Sequence, residues 1–500
     1  MIKIVIVGGG TAGWMAANLF AKKWSKKQIQ ITLVESPDVD IIGVGEGSTP
    51  TLKHFFELMG VEESQWMLRC NATYKTNIRF NNWSPKSGID SYSHPFTTQV
   101  DTHTSRAFMV NCHTRRLGLD THTQPGDFLL NGILAKQGLS PVAPENFPFQ
   151  IEYGYHFDSH LLGEFLAELA IENGVSHQIE HITQVVKHNS GDIAALTTAN
   201  NNNIDGDFFV DCTGFSSMLM QKALGVSFKS YKENLFNDAA VVMPTPISSD
   251  IPCETVSTAL SAGWCWKIPL VNRFGNGYVY SSDFISADQA EYELRTHLNS
   301  LRSDTEARHL KMRVGRLEKQ WSHNCIGLGL SQGFIEPLEA TALHLVQVCI
   351  QLFIDRFEQG GFSAKFQEEY NNKTSENFER VRDYIVAHYK LNTREDSDYW
   401  CANRDNEHLS DSLYQILNSW FQRKDLNKEI ERQGLASHFN NISWHCLLSG
   451  YGAFPPLAAN QPGTGDLYKD DNINAFLNGC SLNFNKHSNT LKVLANNEKV

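Results

Sequence analysis

The sequence has little of what marks secreted, membrane or nucleic-acid-binding proteins. Its ten cysteines occur singly, with no C-x-x-C pair, so neither a disulfide framework nor a thiolate zinc site is indicated. Acidic residues outnumber basic ones, 55 to 43, and the net charge of −12 argues against a nucleic-acid partner. The longest apolar helix candidate, near 343–354, holds one histidine and two glutamines and falls short of the roughly 20 apolar residues that cross a membrane.

Other signals are also missing. No secretory signal is indicated, because Lys3 is the only charge near the start and glycines soon interrupt the apolar run, so we expect a cytoplasmic protein without a membrane partner. The histidines at 94, 103, 113 and 122 have no metal-ligand spacing, so no metal is expected. We find no internal repeat. With 41% apolar and 20% charged residues, the chain has the composition of a globular protein of two or three domains.

The N-terminal stretch carries the clearest motif. The apolar run over 2–7 predicts a buried strand, and Gly8, Gly10 and Gly13 then fit the pattern G-x-G-x-x-G before a helix that starts near Met15. Glycines let the backbone approach a pyrophosphate, and the free N–H groups of a helix start bind it. The sequence therefore predicts a dinucleotide site on this helix.

An acid at the end of the next strand completes the motif. The run over 29–35 ends on Glu35, at about the 20-residue spacing expected for a ribose ligand. A carboxylate there favours a free ribose hydroxyl over a 2′-phosphate, which indicates FAD or NAD and not NADP. No second glycine fingerprint for a nicotinamide cofactor follows.

Further segments give structural expectations. The glycine-rich stretch 37–50 predicts a loop, either a surface loop or one that passes close to the cofactor, and 51–59 predicts a helix that Gly60 ends. Strands over 177–210 read as one meander that ends at Asp211 near the dinucleotide site. The Asn-rich final forty or so residues predict a loosely packed tail with a helix near 472–477.

Two later segments carry chemistry or packing. Trp264 and Trp266 lie two residues apart in a predicted strand, so they share one face, which is either core or the lining of a pocket. Glu336 and Glu339 precede an apolar helix that begins within 339–342. They are either partners of the helix dipole or functional acids, and the helix start is an anion site.

Taken together, three stretches resemble the flavin-dependent tryptophan halogenase family. They are Gly8–Trp14, Gly263–Pro269 with its pattern W-x-W-x-I-P, and Phe334–Ala342, and the resemblance extends to about Pro456. It implies an α/β fold, α+β overall, with a Rossmann-like FAD-binding module of the aromatic-hydroxylase type, an added substrate-binding region and a mostly helical C-terminal part. We expect an FAD module over 1–84, a pocket-capping insertion over 85–152, the rest of the FAD core over 153–352 and a helical substrate region with tail over 353–500.

The resemblance also implies a reaction. Reduced FAD, delivered by a separate flavin reductase, reacts with O2 to give a flavin hydroperoxide, which oxidises chloride or bromide to hypohalous acid. The oxidant passes through a tunnel to a lysine that halogenates a small electron-rich aromatic such as an indole or tryptophan. Whether the protein forms a homodimer is left open by the sequence.

Site residues follow from the same resemblance. Lys75 matches the lysine and Glu339 the glutamate that assists it. Thr341 and Ala342 match the halide-binding N–H pair, although the family's Ser-Thr-Gly is Ala340-Thr341-Ala342 in this chain. The remaining implied residues are the tunnel residues Trp264, Trp266 and Pro337, the substrate-binding residues His94, Phe96 and Trp444, and the FAD-binding residues Gly8, Gly10, Thr11, Ala12, Gly13, Glu35, Gly45, Glu46, Ser48, Thr49, Gly329 and Leu330.

Two other functions are alternatives to the halogenase. A single-component aromatic hydroxylase would share the fold, but it uses a Gly-Asp pair against the ribityl chain, where this chain has Leu328. Such an enzyme also has no need of Lys75 and Glu339 together. A non-catalytic flavin-binding protein is the second alternative, and it predicts no turnover with FAD, reductase and halide.

Overall fold

The α/β fold class predicted from the sequence is confirmed. A computed structural model describes residues 1–38, 45–434, 439–461 and 470–497. Part of the predicted loop over 37–50, residues 39–44, lies outside the described residues. Within the described ranges, no helix is both long and apolar enough to cross a bilayer.

The strands are short and spread over most of the chain. In chain order they are β1 (Ile2–Val7), β2 (Ile29–Glu35), β3 (Glu46–Gly47), β4 (Thr73–Lys75), β5 (Asn77–Ser84), β6 (Ile89–Pro95), β7 (Gly154–Phe157), β8 (Ser176–Ile179), β9 (Ile182–Lys187), β10 (Ile193–Thr198), β11 (Asn203–Asp205), β12 (Phe208–Asp211), β13 (Phe228–Ser230), β14 (Ala239–Pro246), β15 (Glu254–Leu260), β16 (Gly263–Pro269), β17 (Arg273–Tyr280), β18 (Arg308–Lys311), β19 (Gly315–Leu317), β20 (Trp321–Ser322), β21 (Cys325–Gly327) and β22 (Gly333–Phe334).

The helices concentrate in the second half of the chain. In chain order they are α1 (Thr11–Trp24), α2 (Thr51–Met59), α3 (Glu63–Trp66), α4 (Ser105–Arg116), α5 (Leu130–Gln137), α6 (Ser159–Glu172), α7 (Ala287–His297), α8 (Ala342–Gln359), α9 (Gln367–Lys390), α10 (Asp398–Asp405), α11 (Asp411–Phe421), α12 (Leu426–Arg432), α13 (Asn441–Gly450), α14 (Asp470–Ser481) and α15 (His487–Asn497).

A six-stranded sheet holds the N-terminal motif. Its order is β20-β21-β12-β1-β2-β8, and all neighbours except β20 and β21 run parallel. The apolar strand β1 is central, and α1 packs on the sheet with α6 and α8. The carboxyl ends of β1, β2 and β12 therefore meet at the start of α1, which is where a parallel sheet binds its ligand.

One prediction about the strands over 177–210 is wrong. They do not form a single meander, because β8 and β12 join the parallel sheet and only β9, β10 and β11 pair with one another. Hydrophobic patterning indicates strands but not their partners. Asp211 pairs with Val7, so β12 ends at the sheet edge where the dinucleotide site is predicted.

A second, larger sheet carries the tryptophan pair. Its order is β18-β14-β17-β16-β15-β5-β6, and the three-stranded sheet β3-β7-β4 lies beside it. Strands β4 and β5 are separated only by Thr76, so one extended stretch crosses from the small sheet into the large one. Lys75 is the last residue of β4, next to this crossing.

The described C-terminal part is helical, and over 470–497 the prediction of a loosely packed tail is wrong. Residues 462–469 and 498–500 of that tail lie outside the described residues. Leu477, Phe484 and Leu491 are buried in the same core as α1 and α8, and His487 is 1% exposed. A polar composition concealed this packing, because a few apolar residues at helical spacing are enough to attach a short helix to a core. Helix α14 does contain the predicted helical stretch near 472–477.

Candidate active site

The glycine cradle has the tight geometry that the motif predicts. Gly8 has φ of +116°, and a Cβ at Gly13 would lie 2.0 Å from the Gly8 carbonyl oxygen. A Cβ at Gly10 would meet no atom within 4 Å, so open space lies at the start of α1. The residues present thus fit a pyrophosphate, which would use that space and the free N–H groups of the helix.

The acid at the end of β2 faces the cradle. A Cβ at Gly9 would lie 1.4 Å from Glu35 Oε2, so the carboxylate covers the Gly9 backbone. On its other side Glu35 Oε1 lies 2.7 Å from His177 Nε2, on β8. His177 also contacts Trp14 edge-on, with 5.0 Å between ring centroids. The histidine was not singled out from the sequence, and it holds Glu35 where a ribose hydroxyl would approach.

The later cofactor segment lies on the same cradle. Gly329 has φ of +62°, and its Cβ position is 2.7 Å from Ala12 Cβ, in the first turn of α1 with Thr11. Leu330 follows in a short 3₁₀ turn. The structure therefore brings Gly329 and Leu330 to the N-terminal motif although more than 300 residues separate them.

The segment from Gly45 to Thr49 lies between two parts of the site. Glu46 and Gly47 form β3, and the Ser48 N–H donates to Tyr155 O at 2.8 Å. A Cβ at Gly47 would lie 3.1 Å from Lys75 Nζ. The Thr49 hydroxyl contacts that of Thr51, which lies 2.7 Å from His344 Nδ1 in the first turn of α8. Lys75 and the start of α8 are thus connected through this segment.

Lys75 is a buried cation without a hydrogen-bond partner among the described residues. It is fully buried, and its Nζ lies 5.5 Å from the centroid of the Phe96 ring. Burial lowers the pKa of Lys75 to about 7, although the Glu339 carboxylate acts in the opposite direction. An amine whose pKa lies at neutral pH exists as both the ammonium and the free base.

A directed hydrogen-bond chain lies beside Lys75. The Thr73 hydroxyl donates to Pro269 O at 2.7 Å, so its oxygen accepts from His156 Nδ1 at 3.1 Å. His156 Nε2 then accepts from the Thr255 hydroxyl at 2.8 Å. Burial lowers the pKa of His156 well below its usual value, in accord with this neutral tautomer. The lone pairs of Thr255 Oγ1 are left to accept from another group.

Glu339 is buried between two histidines. His94 Nδ1 lies 3.0 Å from both carboxylate oxygens, and His388 Nε2 lies 2.9 Å from Oε1. Burial by itself would raise the pKa of Glu339, but His94 and His388 together hold it at about 2. The carboxylate is therefore ionised at neutral pH, in a site closed to solvent.

Helix α8 begins at Ala342, three residues beyond Glu339. Ala340 has φ of +55°, a left-handed conformation that turns the chain into the helix, and Thr341 is the N-cap without a side-chain cap bond. The first N–H groups of a helix have no partner within it. Thr341 is buried and Ala342 exposed, so the predicted halide pair lies where the helix start reaches the surface of the protein chain.

Aromatic rings surround the Lys75–Glu339 region. His94 and Phe96 are two residues apart, and the His94 ring centroid lies 5.9 Å from that of Tyr384. Trp444 packs edge-on against Tyr384 at 4.9 Å, and its indole N–H has no partner among the described residues. Of the three residues predicted to contact substrate, His94 and Trp444 thus both lie against Tyr384, and Phe96 lies beside Lys75.

The tryptophan pair lies on one face of β16, as predicted, with 6.0 Å between ring centroids. The Trp264 indole donates to Glu336 Oε2 at 2.9 Å, an oxygen that also accepts from Asn237 and Tyr389. Burial raises the pKa of Glu336, although these three donors partly offset it. Glu336 thus holds Trp264, whereas Pro337 beside it is exposed.

Some residues of the site were missed by the sequence analysis. His388 and Tyr384 lie in α9, within a stretch rich in charged and aromatic residues. No local spacing separates these two from their neighbours. His156 lies in β7 and belongs to no motif that the sequence indicates. No group of three or more His, Cys, Asp or Glu side chains in the described part of the chain is arranged to hold a metal ion.

Comparison with known proteins agrees with this geometry. The tryptophan halogenase family profile matches residues 3–462. The chain is 36% identical to tryptophan 6-halogenase of Streptomyces toxytricini over 442 residues, 84% of this chain and 83% of that protein. It is 35% identical to 7-chloro-L-tryptophan 6-halogenase of Kutzneria sp. over 482 residues, 90% of each. A flavin-dependent halogenase from Xanthomonas campestris superposes with a TM-score of 0.83 at 31% identity, covering 99% of this chain and 98% of that one. The chain therefore belongs to the tryptophan halogenase family of flavin-dependent enzymes.

Proposed function

We propose that this enzyme uses reduced FAD and O2 to oxidise chloride or bromide, and that Lys75 transfers the halogen to an electron-rich aromatic such as an indole or tryptophan. A separate flavin reductase supplies the reduced FAD. One observation carries the proposal: among the described residues, the buried Lys75 amine has no hydrogen-bond partner, lies 5.5 Å from the Phe96 ring and interacts electrostatically with the buried Glu339 carboxylate.

Binding of FAD is assigned to the glycine cradle and its surroundings. Gly8, Gly10 and Gly13 with Thr11 and Ala12 would receive the pyrophosphate, and Glu35 the ribose. Gly329, Leu330 and the segment with Gly45, Glu46, Ser48 and Thr49 would flank the rest of the cofactor. When bound, reduced FAD supplies two electrons; these and the two lost by arene and halide reduce O2 to two waters.

Halide binding is assigned to the N–H groups of Thr341 and Ala342. A helix start concentrates positive potential, and its free backbone N–H groups bind an anion. Trp264, Trp266 and Pro337 are assigned to the route between this helix start and Lys75. Glu336 would keep the Trp264 ring fixed through its indole N–H.

Transfer of the halogen is assigned to Lys75 and Glu339. Hypohalous acid would either be held by a hydrogen bond from Lys75 Nζ or react with the free amine, forming an N–X bond as the O–X bond breaks and water leaves. The aromatic ring then takes the halogen and releases its own proton. As the aromatic ring attacks, positive charge develops on it, and the Glu339 carboxylate stabilises that charge in a low-dielectric site. His94 and His388 keep Glu339 ionised. His94, Phe96 and Trp444 would hold the ring.

The proposal is tested by product analysis. The enzyme is incubated with FAD, NADH and a flavin reductase, and an aromatic panel of indole, tryptophan, substituted indoles, phenols and tryptophan-containing peptides. Bromide and chloride are supplied separately and in competition, and mass spectrometry reads the products. We expect halogenated product that disappears when halide is omitted. A hydroxylated product formed equally well without halide would overturn the proposal in favour of a monooxygenase.

A further inference from the structure

The C-terminal segment reaches the strand that carries Lys75. The segment is attached by main-chain bonds, from Ser140 N–H to Asn485 O at 2.9 Å and from His487 N–H to Gly138 O at 3.0 Å. Lys486 Nζ donates to Gln137 O at 2.7 Å. These contacts place the first residue of α15, His487, inside the protein rather than on its surface.

The His487 imidazole bridges two backbones. The Tyr74 N–H donates to His487 Nε2 at 3.2 Å, and His487 Nδ1 donates to Ile251 O at 2.9 Å. The ring is also in edge contact with the Tyr74 ring, with 6.0 Å between centroids. Both nitrogens are thus in use, and only the neutral tautomer with its proton on Nδ1 can make both bonds.

The bridge replaces one rung of a β ladder. Thr76 N–H donates to Cys253 O at 2.8 Å, and Asn77 then pairs in parallel with Glu254. Rungs along such a ladder recur every second residue, so the preceding one would join Tyr74 N–H to Ile251 O. The imidazole is inserted between these two groups, satisfying both while the strands diverge.

This rung adjoins Lys75 directly. On its other edge β4 pairs with β7, where Lys75 lies opposite Gly154. The backbone of Lys75 is therefore held by β7 on one side and by the His487 and Cys253 contacts of its two neighbours on the other. We propose that His487 is a positioning residue that fixes the strand from which Lys75 projects, so the C-terminal segment is part of the halogenating site. The inference rests on the halogen-transfer role proposed for Lys75.

Burial agrees with the bridging role. It lowers the pKa of His487 to about 4, with bonds to the Ile251 and Pro252 backbone opposing the shift, so the ring stays neutral at the pH of the reaction. A charged ring would have no lone pair for the Tyr74 N–H.

Four proteins test the inference: wild type, His487→Ala, His487→Gln and Lys486→Ala. The glutamine amide keeps one acceptor and one donor for the bridge. Lys486→Ala removes a neighbouring contact of the same segment without touching Tyr74. Amide hydrogen exchange over 73–76 reports the bridge independently of halogenation, and halogenated product per FADH2 oxidised reports the position of Lys75. FAD affinity and unfolding midpoint are measured in parallel.

We expect His487→Ala to speed exchange at Tyr74 and to lower product per FADH2 by roughly tenfold to 10²-fold, since small displacements of a reacting group are costly. His487→Gln, or added imidazole with His487→Ala, should recover part of both, and Lys486→Ala should match wild type. If His487→Ala proves unfolded, the His487→Gln protein carries the same comparison at smaller amplitude.

Three results would overturn the inference. Unchanged hydrogen exchange at the Tyr74 amide in both His487 variants would show that the His487 bridge does not hold this strand. Faster exchange with unchanged product per FADH2 would remove the positioning role. An equal loss of product per FADH2 in Lys486→Ala would show that attachment of the C-terminal segment in general, and not the His487 bridge, determines the yield. Product retained by Lys75→Ala would instead remove the proposed role of Lys75 and leave the bridge, as read by exchange, in place.

Discussion

The glycine cradle and the proposed halogenating site are built in different ways. The cradle is made mainly of backbone, from one contiguous stretch, and Gly8, Gly10 and Gly13 matter for the side chains they lack. The halogenating site is made of side chains, with Lys75, His94, Glu339 and His388 contributed by β4, β6, the turn before α8 and α9. The glycine turn of the cradle is local in sequence, whereas the second site depends on packing between distant elements.

The largest effect should come from Lys75, which belongs only to the second site. Lys75→Ala should lower halogenated product by about 10³-fold or more, because no described group near it replaces the amine as carrier of the halogen. FADH2 oxidation and hydrogen peroxide release should continue. Product is measured by mass spectrometry and peroxide by a coupled peroxidase assay.

Retention of product would contradict the role of Lys75. Lys53→Ala is a suitable control, because Lys53 is a partly buried lysine that pairs with Glu57 and belongs to neither site. That variant should behave as wild type in both assays.

The next effect should come from Glu339. Glu339→Gln keeps the shape but removes the charge that faces the developing cation, and we expect a loss of roughly 10²–10³-fold in turnover. Single-turnover formation of product, with substrate saturating, isolates this step from substrate binding. A variant as fast as wild type would show that the charge is unnecessary.

Alanine substitutions at Gly13 and Gly10 should affect different quantities, the first the stability of the fold and the second the affinity for FAD. Gly13→Ala would bring a Cβ to 2.0 Å from the Gly8 carbonyl, so we expect a loss of about 1–3 kcal/mol in unfolding free energy. Gly10→Ala meets no atom within 4 Å, so unfolding of the cofactor-free protein should be unchanged while FAD affinity falls. Denaturant unfolding and flavin fluorescence titration measure the two quantities.

Equal loss of stability in both variants would contradict this separation, as would unchanged FAD affinity in Gly10→Ala. The first outcome would mean that the space at Gly10 is structural, and the second that the pyrophosphate does not use it.

The smallest effect concerns pH and compares histidines outside the reacting pair. Burial lowers the pKa of His344, His445 and His487 from 6.5 to about 4 each. The unfolded chain then binds more protons than the native one between pH 6.5 and 4. Stability should therefore fall with falling pH across that window, by at most about 1.4 kcal/mol per pH unit for each histidine.

Urea unfolding at several pH values tests this expectation. His487→Gln removes one titrating group and should flatten the slope by up to about 1.4 kcal/mol per pH unit. An identical slope in that variant would show that His487 is not a buried neutral histidine.

The difference between the two regions explains what the sequence could predict. The strand, glycines and helix of the cradle follow from local pattern, as does the stop of α2 at Gly60, which adopts the left-handed conformation. Gly329 and Leu330 were assigned through the family resemblance rather than from local pattern. Local rules decide such elements because the interacting groups are neighbours in the chain.

The halogenating site was accessible only through the family resemblance, and then only in part. Lys75, Glu339 and His94 were named, but His388 lies 49 residues from the carboxylate it contacts and carries no local signal. His487 lies 413 residues from Tyr74, inside a tail predicted to be loosely packed. Such contacts arise from how helices pack, which periodicity does not encode.

The most direct test of the division between the two regions is one ratio: halogenated product per FADH2 oxidised, measured for wild type, Lys75→Ala and Gly10→Ala at saturating FAD. The account predicts a ratio near zero for Lys75→Ala and a wild-type ratio for Gly10→Ala, because the first variant breaks the chemistry and the second only cofactor affinity. Equal decline of the ratio in both variants would contradict it.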